Sequence, residues 1–522
     1  MGLAQRLTAV GTLARANIGW FERPDRMIAG IAAAVPWGAS TTAALALAVG
    51  REPRRAALVD DEGALTYHDL WRRSDGVAHA LVALGAGPDV TVGVLCRNHR
   101  GFTDALLGAS KTGANIVLLN TGFAGPQLAD VVAAEGISIV VHDDGFAAQA
   151  ADCPHGVATV DGSALQQMAA SGERVSPTAH QGRVVILTSG TTGRPKGATR
   201  GTGSGAIEGV AGILARIPLR PRDVQVVAAP LFHAWGLSHL MLGLTRCATS
   251  VVATRFDAEA TVGAVAEHSA RVLVVVPVML RRMLSVDPQV LAAADTSALR
   301  VIAVSGSALG GQLATDVADR FGPVLYNTYG STEVAVASVA TPSDLRRHPT
   351  TVGKPAPGAV VEILDDAGEP LPNGTVGRIF VGNSARFEGY TGGGGKESQR
   401  GLLSSGDVGH IDRDGFLYVD GRDDDMIVSG GENLFPSEVE ELLNQHPAVG
   451  EAAVIGVADE EFGQVLAAFI VRRPSASLDA DGVKEYVRDH LARFKVPKRI
   501  EFVDELPRNA TGKILKRDLA AR

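Results

Sequence analysis

From about residue 60 to residue 340 the chain alternates short apolar runs with stretches of helical period. Residues 224–229, 250–253, 272–276, 301–304 and 324–326 are apolar runs of strand length, the pattern of strands buried on both faces. Between them, residues 258–270 and 309–321 carry apolar positions at helical spacing. This is the βαβ rhythm of an α/β domain with parallel sheets. Ligands of such sheets bind beyond the carboxyl ends of the strands.

The pattern changes after residue 340. Shorter strands alternate with turn signals at 365–366, 372–374 and 412–415, which predicts a β-rich subdomain. Gly392 to Gly395 reads as a mobile loop, and the polar stretch 421–425 suits a hinge. Helix-like residues 437–445 and 480–492, with strand-like residues 451–457 and 465–471, predict a small α+β unit. The expected fold class is therefore α/β: a large N-terminal domain of βαβ subdomains plus a β-rich subdomain, over residues 1–422, followed by a small mobile α+β C-terminal domain over 423–522.

The first 50 residues fit this scheme less simply. Residues 27–50 are uncharged and rich in alanine, but Pro36, Gly38, Ser40, Thr41 and Thr42 make them a poor membrane span. Residues 3–30 mix Leu, Ile, Trp20 and Phe21 with several arginines. Peripheral membrane contact and packing on the protein's own body are both open readings. The start lacks a signal-peptide pattern.

Composition narrows the class. At 522 residues, 46% hydrophobic and 20% charged, the chain is long enough for several domains and suits a globular enzyme. A net charge of -8 argues against a nucleic-acid partner. Cys96, Cys153 and Cys247 are far apart and odd in number, so neither a disulfide framework nor a zinc site is expected, and a cytoplasmic location fits. A homodimer is left open.

The chemistry begins at Thr188-Ser189-Gly190-Thr191-Thr192-Gly193-Arg194-Pro195-Lys196-Gly197, directly after the apolar residues 184–187. Glycines allow close approach to phosphate, consecutive N–H groups cradle an anion, and the hydroxyls and Lys196 add donors and charge. The spacing is not that of a Walker A loop. The run matches, almost letter for letter, the phosphate loop of the adenylate-forming enzymes: acyl-CoA synthetases, luciferases and the adenylation domains of peptide synthetases. Further segments resemble that superfamily in the same order: Leu65-Thr66-Tyr67, Pro230-Leu231-Phe232-His233, Ser305-Gly306-Ser307-Ala308-Leu309, Tyr329-Gly330-Ser331-Thr332-Glu333, Ser405-Gly406-Asp407, Gly421-Arg422 and Thr511-Gly512-Lys513. The resemblance runs from about residue 55 to 522.

Taken singly, each of these residues has an ordinary reading as a turn, cap, core or solvated residue. Together, and by the resemblance, they imply an AMP-forming acid–thiol ligase using ATP, Mg²⁺ and CoA. A carboxylate and ATP are both anions, so their reaction at the α-phosphate needs fixed positive charge, donors and a metal. The resemblance gives the metal to Glu333 and Thr188. Ser189, Gly190, Thr191, Thr192, Gly193, Lys196 and Thr332 fall to the phosphates. Gly306, Ser307, Ala308, Asn327, Tyr329 and Gly330 fall to adenine, and Asp407 and Arg422 to ribose. Lys513 would bridge carboxylate and ATP in the transition state, and His233 would gate the acyl pocket. In the second half-reaction the CoA thiol attacks the acyl-adenylate and expels AMP. For that step the resemblance implies rotation of the C-terminal domain about Asp424, with Ser429, Gly430, Gly431 and Lys495 along the CoA path.

Three departures from the family pattern lie near the ribose motif: Arg378 where Glu is usual, Gly392 to Gly395 in place of a Pro-Glu-x-Thr segment, and Leu402 to Ser405 in place of an aromatic-containing approach. The acyl pocket is expected from residues 232–242, 275–280, 305–309 and 328–334, which are apolar or small. That composition favours a medium- or long-chain fatty acid. The alternatives are an aryl or other acid, and a fatty acyl-AMP ligase that delivers to a carrier protein.

Overall fold

The computed structural model describes residues 24–178, 180–189, 195–200, 212–383, 387–423, 425, 427–429, 432–459, 463–492, 495–510 and 512–520. Its apolar runs become the middle of a nine-stranded sheet. From edge to edge the strands are Lys354–Pro355, Ala335–Ala340, Leu325–Ser331, Val301–Val304, Val272–Val275, Val224–Val227, Thr249–Val251, Ala56–Asp60 and Gly63–Thr66. The six from Leu325–Ser331 to Ala56–Asp60 are parallel, and the outer pairs are antiparallel. Five of the parallel strands coincide with the hydrophobic runs because a strand buried on both faces must be apolar throughout. Leu325–Ser331 outruns its apolar residues 324–326, since pairing with Ala335–Ala340 carries the polar Asn327 to Ser331 along with it.

A second, seven-stranded sheet orders Phe387–Tyr390, Pro195–Arg200, Val184–Ser189, Asn115–Leu118, Thr91–Leu95, Ile137–His142 and Ala158–Val160. One apolar core joins the two sheets. It runs from Val92 and Val94 through Phe102, Ala105 and Leu106 of the helix Arg100–Thr112 to Val226, Val274 and Ile302. Burying helices between sheets is the layered solution expected of α/β chains.

Antiparallel strands Val360–Leu364, Gly377–Gly382, Leu402–Ile411, Ser398–Gln399 and Leu417–Arg422 form the β-rich part. It packs Ile379, Val381 and Leu417 on Val334 and Ala337 of the large sheet's edge. The last hundred residues build a five-stranded sheet around the long hairpin Val449–Asp459 and Gly463–Arg472. The helices Pro436–Gln445 and Ala480–His490 lie on one apolar face, and Leu506 and Leu519 lie on the other. The mixed α/β class and the order of its parts are as the hydrophobic pattern predicts.

Residues 27–50 break as their Pro and Gly residues suggest. Helix Pro24–Ala34 ends at the short turn Val35–Trp37, and Ser40 caps helix Thr41–Arg51 by accepting from the Ala43 N–H. Among the described residues no helix is long and apolar enough to cross a membrane.

Candidate active site

The described ends of the phosphate motif lie on two paired strands. Val184–Ser189 and Pro195–Arg200 are antiparallel, with Thr188 opposite Lys196 and Ser189 opposite Pro195. The Thr188 hydroxyl donates to the Lys196 carbonyl at 3.3 Å. Gly190, Thr191, Thr192 and Gly193 lie outside the described residues, and Ser189 is described for its backbone alone. Strand Phe387–Tyr390 pairs with Pro195–Arg200 and brings Tyr390 to this rim. The Lys196 ammonium lies 5.4 Å from the centre of the Tyr390 ring, within cation–π range.

Tyr390 also links the phosphate side to the acidic residue of the second motif. Its hydroxyl donates to Glu333 Oε1 at 3.0 Å, while Ser331 Oγ donates to Glu333 Oε2 at 2.9 Å. Burial and the neighbouring carboxylate push the Tyr390 phenol well up, so it stays a donor. Glu333 itself is 8% exposed, and the two bonds fix the direction of its carboxylate. The backbone beneath it is tight. A Cβ on Gly330 would lie 1.8 Å from the Ala335 carbonyl oxygen, so only glycine fits the register shift there. Ala335 adopts a left-handed φ of 56° to complete the turn.

The nucleoside side is held by an interlocked set of polar groups. Tyr329 donates its hydroxyl to Asp407 Oδ2 at 2.5 Å, and Arg422 donates to Asp407 Oδ1 at 3.3 Å. Asp407 and Arg422 face each other across the strands Leu402–Ile411 and Leu417–Arg422. Ser405 accepts from the Asp407 N–H at 3.1 Å and donates to the Ile379 carbonyl, so its hydroxyl braces the Asp407 turn. Burial, then the Asp407 charge, raises the Tyr329 phenol well above its ordinary range. Ser305 ties its loop to the Thr328 carbonyl at 2.7 Å. The following Gly306, Ser307 and Ala308 are exposed at the end of Val301–Val304. Asn327 is buried, and Gly330 and Thr332 are half-buried.

The third side comes from the far end of the chain. Asn509 N–H donates to the Lys513 carbonyl, and Lys513 N–H donates to Asn509 Oδ1, both at 2.9 Å. Arg508 donates to the Gly512 carbonyl and to Glu451. The closed loop rests on the N-terminal part: at φ 81°, a Cβ on Gly512 would lie 2.4 Å from Val278 Cγ1, and a Cβ on Gly122 would lie 3.1 Å from Ala510 Cβ. The Lys513 ammonium is held below the ordinary lysine range. The side chain keeps solvent access at the cleft; crowding by protein is the largest cause and the Arg422 charge the next, against the pull of Asp407 and Glu333. Those three groups and Lys513 thus share one cleft. His233, which precedes helix Ala234–Thr245, faces it as well: burial first, and then the Lys513 charge, lower the imidazole to about 3. Its Nε2 is buried without a hydrogen-bond partner.

The groups expected along the CoA path are less gathered. Ser429 ends strand Ile427–Ser429, described for backbone alone, while Gly430, Gly431 and the expected hinge Asp424 fall outside the described residues. The Lys495 ammonium sits on the Glu438 carboxylate at 2.6 Å. Tyr390, Ser331 and Lys396, whose ammonium reaches the Ser405 carbonyl at 3.5 Å, are additions that the motifs did not single out. Arg378, noted as a departure, makes a bidentate pair with Glu397 and a third bond to Asp423 at 3.0 Å.

Comparison with known proteins agrees with this architecture. The AMP-binding enzyme family matches residues 45–391, and the AMP-binding enzyme C-terminal domain matches residues 438–513. An indoleacetate–CoA ligase of Aromatoleum aromaticum is 33% identical over 490 residues, covering 90% of this chain and 95% of that one. A feruloyl-CoA synthase of an Amycolatopsis species is 34% identical, covering 90% and 96%. A fatty acid–[acyl-carrier-protein] ligase, ScoC, of Streptomyces coeruleorubidus is 30% identical, covering 90% and 94%. Among solved structures, o-succinylbenzoate CoA synthetase of Bacillus subtilis with its acyl-adenylate superposes with a TM-score of 0.81 at 28% identity, covering 91% of this chain and 97% of that one. With both family matches in chain order around one shared cleft, this chain belongs to the AMP-binding enzyme family, in the acyl-CoA synthetase branch of the adenylate-forming superfamily.

Proposed function

We propose that the enzyme activates an aryl or arylalkanoic acid as its adenylate and passes the acyl group to CoA, releasing AMP and pyrophosphate. ATP-dependent ligation of an acid to CoA through an acyl-adenylate is the activity of this branch. The observation that carries the finer reading is the set of full-length relatives, whose names give indoleacetate and ferulate as acids. The alkyl acid favoured by pocket composition has less support, because small and apolar residues accept a flat ring as readily as a chain. Helix Ala234–Thr245 adds an aromatic wall: Trp235 is anchored by its Nε1–H to the Val275 carbonyl at 3.1 Å.

The cleft residues suit the roles the motifs suggest. Glu333 and the Thr188 hydroxyl would hold Mg²⁺. A single oriented carboxylate suits an ion that takes its other ligands from nucleotide phosphates and water, and no group of three or more His, Cys, Asp or Glu gathers as a metal cage among the described residues. Bound there, Mg²⁺ would neutralise phosphate charge. Lys196 and Thr332 add donors on the same side. Asn327 and Tyr329 frame the adenine site, and Asp407 and Arg422 the ribose site. Lys513 supplies the positive charge between the two reacting anions. A neutral His233 adds no further cation beside the entering carboxylate, so the acid is drawn toward Lys513.

The boundary between residues 422 and 423, and rotation about Asp424 to exchange Lys513 for a CoA path past Ser429 to Gly431, complete the proposal. The test is pyrophosphate release and acyl-thioester formation from aryl and alkyl acids offered at equal concentration, without and with CoA. Aryl-CoA in excess of alkyl-CoA supports the reading. Adenylate that passes only to a carrier-protein phosphopantetheine favours the reading suggested by the ScoC relative.

A further inference from the structure

Helix Gly311–Phe321 begins just beyond the loop Ser305 to Leu309, and its own sequence leaves its start bare. Gly310 stands at the N-cap with no side chain to accept a hydrogen bond, and the first turn holds no acidic residue. These are the usual means of satisfying a helix's first N–H groups and its positive end. The missing acceptor comes from the C-terminal part of the chain. The Glu441 carboxylate, on helix Pro436–Gln445, accepts from the Gly311 N–H at 3.3 Å. The contact is enclosed: a Cβ at Gly311 would meet Thr350, Pro349 and Glu441 Oε1 within 3.5 Å.

Glu441 is one of three polar residues of its helix that bond across to the N-terminal part. Ser437, Glu441 and Asn444 follow at i, i+4 and i+7, which places them on one stripe. Ser437 Oγ donates to the Asp420 carbonyl of strand Leu417–Arg422. Arg281 Nη1, on helix Pro277–Leu284, reaches Asn444 Oδ1 at 3.5 Å. Val439, Leu442 and Leu443 belong instead to the C-terminal core. The Arg281 end of the stripe is weakly held. Its Nε is buried without a partner, Arg508 and Arg473 repel it, and Glu451, which attracts it, is already paired with Arg508. The same helix carries Val278, which lies against Gly512 of the Lys513 loop. Seating of helix Pro436–Gln445 and entry of Lys513 therefore belong to one arrangement.

We infer that Glu441 is a positioning residue for adenylation: it caps helix Gly311–Phe321 only while the C-terminal domain is seated with Lys513 in the cleft, and so firms the nucleotide loop in that state alone. The other end of that loop is held by Ser305 on the Thr328 carbonyl, and Gly306, Ser307 and Ala308 between them are exposed. Loss of a cap typically shifts the opening of a helix start by about 5-fold. Rotation about Asp424, the proposed step on which the inference rests, withdraws the carboxylate and relaxes the loop at the stage when AMP must leave. The linkage is reciprocal: ATP held by the loop favours the seat, and the seat favours ATP.

The test reads amide hydrogen exchange at Gly311, localised by fragmentation mass spectrometry, in the full-length enzyme without an acid. Gly122→Cys with Ala510→Cys joins two positions whose Cβ atoms would lie 3.1 Å apart, and neither position is on either helix. Oxidation to the disulfide should slow exchange at Gly311 by about 5-fold relative to the reduced form. Glu441→Ala in the same background should exchange fast whether oxidised or reduced. Glu441→Gln, which keeps an acceptor, should regain part of the protection. ATP with Mg²⁺ should bind Glu441→Ala several-fold more weakly. Exchange at Gly311 that ignores the cross-link overturns the inference without recourse to any Glu441 variant. Unchanged protection or unchanged ATP binding in Glu441→Ala overturns it as well. These results leave the aryl-acid reading and the rotation standing, whereas full turnover by the cross-linked enzyme removes the rotation and the inference with it.

Discussion

At the scale of single residues, the cleft works by holding a few charges in fixed positions. Lys513 is the clearest case. Its ammonium is depressed below the usual lysine range, so its charge is lost at a lower pH than that of a free lysine. In the role proposed for Lys513 adenylation needs the charged form, so its rate is expected to fall on the alkaline side as pH rises through that depressed pKa. Lys513→Arg should remove the alkaline fall while retaining part of the rate. Lys513→Ala should slow adenylation about 100- to 1000-fold, the cost typical of losing one preorganised charge or donor. Conversion of synthetic acyl-adenylate to acyl-CoA should be nearly unaffected. Equal losses in both half-reactions would contradict this division of labour.

Tyr390 is a second residue-scale prediction. Tyr390→Phe removes one of the two hydrogen bonds that aim Glu333 but keeps the ring beside Lys196. The expected outcome is a several-fold rise in the Mg²⁺ concentration needed for half-maximal rate, with little change in KM for the acid. A Mg²⁺ titration of pyrophosphate release reads it directly.

Elements decide which of these residues meet. Thr188, Glu333, Asp407, Arg422 and Lys513 could be singled out in the sequence because each sits in a contiguous motif that resembles the family's. Tyr390 could not, because it reaches Glu333 from 57 residues away through the pairing of Phe387–Tyr390 with Pro195–Arg200. No local pattern encodes a cross-strand neighbour. The central strands were readable because burial on both faces forces continuous apolar runs, whereas strand Leu325–Ser331 was only half visible since pairing, not hydrophobicity, extends it.

Arg378 shows how a departure from a family pattern becomes intelligible at this scale. The guanidinium clamps Glu397 and Asp423 together, fixing the chain immediately after Arg422. A glutamate at this position would face two carboxylates. Arg378→Glu is therefore expected to loosen the segment around residue 423, seen as faster limited proteolysis there, and to raise KM for ATP through Arg422 and Asp407. Unchanged cleavage and KM would make the clamp incidental. The three side chains are partly exposed, so the effect on global stability should be small.

For the whole molecule, one chain must serve two reactions with different demands. The loop carrying Lys513 rests on Gly122, Val276 and Val278, the arrangement that the proposed function assigns to adenylation. A disulfide between Gly122→Cys and Ala510→Cys, whose Cβ atoms would be close enough to bridge, should trap it. The oxidised enzyme is expected to release pyrophosphate once and to form no acyl-CoA until reduced. Full turnover while cross-linked would remove the need for domain rotation.

The most direct measurement follows the oxygen atoms. An aryl acid carrying oxygen-18 in both carboxylate positions is incubated with ATP, Mg²⁺ and CoA, and the products are weighed by mass spectrometry. Attack of the carboxylate on the α-phosphorus followed by thiolate attack on the acyl carbon leaves one labelled oxygen in AMP and one in aryl-CoA, and the account predicts both. Unlabelled AMP, or unlabelled ADP formed together with labelled phosphate, would show that the carboxylate is not activated as its adenylate, and would contradict it.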